Sequence, residues 1–186
     1  MFLASIVLLI AGGGAAIYYF RANPPPLTRG AIAGEHWHAQ YQIHICGKRM
    51  TNYPTVEGEI HSHADGFIHI HPATQQFSGA SANLGAFLGG YETSIGRLPN
   101  GKTTLIFPDG TKYTDGDRCP DKKQYDVVIE NKGEPIESDP STFVMHEGDR
   151  ITIRFGPEGK ETIPNAYAKV KGMPDVGLGT DQPAPG

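Results

Sequence analysis

Cysteine is scarce in this chain, with two among 186 residues. Two thiols cannot build a disulfide scaffold or an all-cysteine zinc site. Basic charge is not in excess either: 16 Lys and Arg face 20 Asp and Glu, for a formal charge of -4. No basic stripe is present to neutralise phosphates, so nucleic acid is not an expected partner. The chain has no P-loop, no dinucleotide fingerprint, no nucleophile elbow and no solenoid repeat. These absences remove the commonest nucleotide-dependent and serine-hydrolase chemistries.

Glycine and proline are plentiful, at 24 and 15 residues. Their sum stays below the roughly 25–30% that marks a disordered chain. A folded, turn-rich domain with loose ends is expected. Residues 2–20 (FLASIVLLIAGGGAAIYYF) carry no charge. As a helix they would extend about 28 Å, close to the hydrocarbon core of a bilayer. Residues 1–21 therefore read as a transmembrane anchor, and 22–34 as a Pro-rich linker. Residues 35–156 read as the domain, and 157–186 as a C-terminal extension, disordered from about 172. Arg21 and Arg29 follow the anchor, which by the positive-inside rule alone would put the domain in the cytoplasm. A disulfide-compatible cysteine pair, exposed imidazoles and a stiff stalk favour the opposite side. The expectation is a single-pass membrane protein whose domain faces the periplasm or the cell exterior.

Strand patterns dominate residues 35–156. Apolar residues alternate with polar ones from Trp37 to Ile45, the mark of a half-buried strand. Ile60–His63 and Phe67–His71 flank a turn, and Thr103–Phe107, Tyr125–Glu130, Thr142–His146 and Arg150–Phe155 are further strands. Leu84, Phe87, Leu88, Tyr91 and Ile95 fall at helical spacing, with Ser81 as N-cap. The order predicts an α+β domain: a mixed or antiparallel sheet with one helix packed on one face, β-grasp-like in topology.

Histidine carries the chemistry. The eight are His36, His38, His44, His61, His63, His69, His71 and His146. Six form three His-x-His pairs, 36/38, 61/63 and 69/71. In a strand, residues i and i+2 share a face, about 6.6 Å apart. Two such imidazoles reach one ion at about 2.0–2.1 Å each. The turn between the last two pairs decides whether they converge. A two-residue Asp65-Gly66 loop turns them to opposite faces. A three-residue Ala64-Asp65-Gly66 loop pairs His61 with His69 and places His61, His63, His69 and His71 together. It also puts Ile68 and Ile70 on the other face, and suits Gly66 at a left-handed position. The three-residue register is preferred.

The candidate metal ligands are thus His61, His63, His69, His71, His36 and His38, a site of three to six imidazoles for one ion or two. Nitrogen donors without thiolates favour zinc or copper. His44, about 20 Å along its strand from His38, and His146 are read as structural. Glu35 and Asp65 are candidates to orient an imidazole through its other N–H; Asp65 is equally a turn former. Ser62 projects away from both neighbouring His, which argues against a Ser/His catalytic pair. Cys46 and Cys119 read as a disulfide pair, with buried thiols or a Cys46 thiolate ligand as alternatives. The segment from His61 to Gly66 is similar to the His-x-His-x-Asp-His motif of metallo-β-lactamase-like hydrolases. Gly66 replaces the final His, however, and the domain is too short for that fold.

EHWHAQYQIHICG (35–47) with IHSHADGFIHIHP (60–72) resembles a family of uncharacterised bacterial proteins with a membrane anchor and an exported His-rich domain. The resemblance extends weakly through NLGAFLG and EGDRITIRFG. It implies architecture and location, not an activity. The expected function is transition-metal binding, with the metal ion and the membrane, through residues 2–20, as partners. One alternative is a zinc-dependent enzyme whose three-His site leaves a position for water. Its general base would be Glu35, Asp65 or a spare His. Another is an accessory subunit of a larger membrane complex.

Overall fold

The computed structural model describes residues 29–157, together with Gly13 and Ile163. Twelve strands fall in this region. They are β1 (Trp37–Ile45), β2 (Lys48–Arg49), β3 (Ile60–His61), β4 (Phe67–Ile70), β5 (Ser94–Arg97), β6 (Thr103–Ile106), β7 (Lys112–Thr114), β8 (Asp117–Arg118), β9 (Gln124–Tyr125), β10 (Val127–Asn131), β11 (Glu134–Pro135) and β12 (Arg150–Phe155). The described α-helix is α1 (Leu84–Gly89). The α+β class is as expected: sheets dominate, and a single short α-helix accompanies them.

The main sheet runs β11-β10-β12-β1-β4-β3, with β2 also paired to β1. β1 lies parallel to β12 and antiparallel to β4, so the sheet is mixed. Alternation places Ala39, Tyr41 and Ile43 of β1 on one face. Ile68 and Ile70 of β4 join them, as do Ile151, Ile153 and Phe155 of β12. These residues are buried together with Leu84, Phe87 and Leu88 of α1. Two smaller sheets, β5-β6-β7 and β8-β9, complete the fold.

Several local expectations need correction. The N-cap of α1 is Asn83, whose side chain accepts from the Ala86 N–H, and not Ser81. The helix stops at Gly89, and Glu92 takes a left-handed conformation (φ 53°). That redirects the chain, so Ile95 belongs to strand β5. Thr142–His146 is not a strand. Asp139 caps a 3-10 turn at Pro140–Thr142, and Val144 makes only an isolated bridge to Asn83. β1 is buried on both faces: His38, Gln40, Gln42 and His44 are as enclosed as the core positions between them.

The expected membrane placement is contradicted. No helix among the described residues is long and apolar enough to cross a membrane. The segment 2–20 read as an anchor lies outside the described residues, Gly13 apart, as does most of 157–186. Within the stretch read as a linker, Ala31 is fully buried and its carbonyl accepts the Gly79 N–H. Cys46 and Cys119 form a disulfide. That binds the end of β1 to the β8–β9 hairpin and rules out Cys46 as a thiolate ligand.

Candidate metal centre

The site begins with the register of one hairpin. Ile60 pairs with Ile70 and His61 with His69, the three-residue-loop arrangement. Gly66 takes φ 85° at the last loop position, where a side chain would be strained. Asp65 Oδ1 accepts the Phe67 N–H and tightens the turn. β1 then adds on the other side of β4, with His38 opposite His69. A row of three imidazoles, His38, His69 and His61, therefore crosses three strands. His36 and His71 lie next to it, with ring centroids 5.3 Å apart.

All six predicted ligands meet in this one cluster. The rings of His36 and His38 are 4.6 Å apart, those of His38 and His69 4.9 Å, and those of His63 and His69 4.4 Å. His61 contacts His63 at 4.7 Å and His71 at 4.9 Å. His38, His61 and His69 are buried; His36, His63 and His71 are half-buried. Within the cluster, His36, His38 and His69 offer one nitrogen each, all within 4.8 Å of one another. A four-coordinate ion holds its nitrogens about 3.3 Å apart, so small ring rotations close this set.

Two rings are already oriented from outside the set. Asp65 Oδ2 lies 3.4 Å from His69 Nε2. Burial works against the charge of Asp65, but the His69 contact and the Phe67 N–H hold its carboxyl below the usual range. With Nε2 facing that carboxylate, Nδ1 is the His69 nitrogen left for a metal, and it is buried without a hydrogen-bond partner. The second ring is His61, whose Nδ1 lies 2.7 Å from the Gly58 carbonyl. This contact turns Nε2 toward His63 Nε2, 3.0 Å away. Contacts of this kind fix the tautomer and ring angle of an imidazole.

Other candidates lie elsewhere. Glu35 is held by Arg29 at 2.7 Å and by the Ile32 N–H. His146 stacks on Trp37. His44 sits at the far end of β1, opposite Arg154 of β12 and Arg49 of β2. Ser62 is on the other side of the hairpin, as alternation requires. Its N–H donates to Tyr91 Oη at 2.7 Å, and Tyr41 Oη lies 3.5 Å from its Oγ.

Glu147 was not singled out by the sequence reading. It accepts the His38 N–H at 2.6 Å across 109 residues of chain. Glu59 sits beside His71, whose N–H donates to the Glu59 carbonyl. Burial raises the pKa of Glu59, yet its bonds from Thr74 and Ala73 carry it below the ordinary value. Nothing in the local pattern of the Glu147 turn or of the Glu59 loop announced either contact. No family model matches the chain, and no curated protein or solved structure does so. The reading of the site accordingly rests on its geometry.

Proposed function

We propose that this protein binds transition metal, zinc or copper, at the imidazole cluster that its three His-x-His pairs build. His36, His38 and His69 form the primary set. The observation that carries this reading is the convergence of three nitrogens, one per ring, within 4.8 Å. Support comes from the donor chemistry, because neutral imidazoles without thiolates suit zinc and copper. The carboxylate of Asp65 behind His69 is the partner expected of a ligating His. The β-grasp-like topology is also proposed. The strand order β4-β1-β12-β10, with its central pair parallel, supports it. Kinship with bacterial His-rich domains is proposed on residues 35–47 and 60–72.

The test uses the full chain purified without an affinity tag. After stripping with a chelator, it is titrated with Zn(II) or Cu(II), and bound metal is measured by calorimetry and elemental analysis. Saturable binding that His38→Ala and His69→Ala each weaken is the expected result. Trace metal that neither substitution alters would overturn it.

A further inference from the structure

We propose that the cluster holds a second metal ion, chelated by Nε2 of His61 and Nε2 of His63, which makes the centre dinuclear. The inference rests on the metal-binding reading above and extends it. His61 and His63 point their Nε2 atoms at each other across 3.0 Å. Two nitrogens bound to one ion at about 2.0–2.1 Å span nearly that gap, so chelation requires little movement of either ring. His61 is fully buried, and the Gly58 carbonyl holds its Nδ1. That contact commits the proton to Nδ1 and leaves the Nε2 lone pair to the metal. His71 Nε2 lies 3.2 Å from the same Nδ1. His71 therefore faces the back of the His61 ring and steadies it.

One ion cannot take all the rings. The set within mutual reach is His36, His38 and His69, and neither His61 nor His63 belongs to it. His69 stands between the two sets, its ring 4.9 Å from His38 and 4.4 Å from His63. Two divalent ions in one cluster need negative charge nearby, and two carboxylates border it. The Asp65 carboxylate meets the His69 ring, and that of Glu147 accepts the backbone N–H of His38. The second ion has two protein nitrogens, so water fills its remaining positions. With fewer ligands and a cation beside it, it binds roughly tenfold or more weakly than the first. His63, half-buried beside the exposed turn at Ala64 and Asp65, lies on its route to solvent. The tight ion is then the resident one and the second ion the exchangeable one.

Cu(II) titration of the full, tag-free chain, followed by calorimetry and electron paramagnetic resonance, tests this. The wild type is expected to take up two ions in two steps. The second equivalent should broaden the spectrum of the first through magnetic coupling. His63→Ala should remove the second step and the broadening, and leave the first affinity within a few-fold. His63→Gln repeats the test with less loss of volume, and near-UV circular dichroism confirms that each variant is folded. Wild-type saturation at one ion, or two-step binding retained in both folded His63 variants, overturns the proposal. A single step abolished by His38→Ala and untouched by His63→Ala would sink the second ion and keep the first. No binding at all would sink both.

Discussion

Asp65 Oδ2 lies 3.4 Å from Nε2 of His69, while Asp65 Oδ1 accepts the N–H of Phe67. One carboxylate thus closes the hairpin turn and fixes an imidazole at the centre of the cluster. The two roles separate in Asp65→Asn. The amide keeps an oxygen for Phe67 but turns an NH2 toward His69 Nε2, which favours the wrong tautomer. First-ion affinity should fall about 10- to 100-fold, the usual loss for such a partner, with little change in thermal midpoint. Calorimetry and thermal melting of the same preparation check both halves. Unchanged affinity would show that the contact serves only the turn.

Metal binding should also depend on proton activity. An imidazole binds metal only when neutral, and an unperturbed one takes up a proton near about pH 6.5. Affinity measured from pH 8 to pH 5 is expected to fall steadily, and most steeply below that point. A pH-independent affinity would argue for ligands other than imidazole.

Tyr91 supports the hairpin from the opposite face. Its hydroxyl accepts the Ser62 N–H, and its ring stacks on Tyr53 at 4.3 Å. Tyr91→Phe leaves that buried N–H without its partner, at a cost of about 1–3 kcal/mol in chemical unfolding. Loss below about 0.5 kcal/mol would mean that the N–H finds another acceptor.

Burial pushes the Tyr91 pKa up to about 12, against an ordinary value of 10.0. The folded state therefore favours the neutral phenol. This contribution to stability is complete below pH 10 and is lost as pH rises toward 12. Unfolding midpoints between pH 9 and 12 should fall in the wild type more than in Tyr91→Phe. Parallel curves would exclude Tyr91 as the cause.

The Cys46–Cys119 bond spans 73 residues. In the chain-entropy model a loop of that size contributes about 4 kcal/mol. Cys46→Ser with Cys119→Ser should lower unfolding stability by about that amount. Metal affinity of the folded fraction should change little, because neither sulfur reaches the rings as a ligand.

Much of the site was legible because the hairpin had few ways to satisfy its own pattern. Ile60, Ile68 and Ile70 must face one core, and only the three-residue loop puts them there with His61 opposite His69. That His36, His38 and His69 in particular bring their nitrogens together was not legible. It depends on β1 docking against β4 so that His38 meets His69, a pairing that no local spacing encodes. The same holds for Glu147 at the His38 N–H and Tyr91 at the Ser62 N–H, both distant contacts. The helix was legible in its apolar positions and in the Gly89-Gly90 pair that weakens it, but not in its N-cap, Asn83. Thr142–His146 alternated like a strand, but the capped turn at Asp139 claims its start.

The six rings come from residues 36–71, whereas the strand that closes the other edge of β1 begins only at Arg150. A chain made from its N-terminus therefore exposes every nitrogen of the cluster well before β12 exists. The order of events in folding follows from this: metal can meet β1 and the β3–β4 hairpin while the sheet is half-built. An ion captured then would hold three strands in register and wait for the fourth.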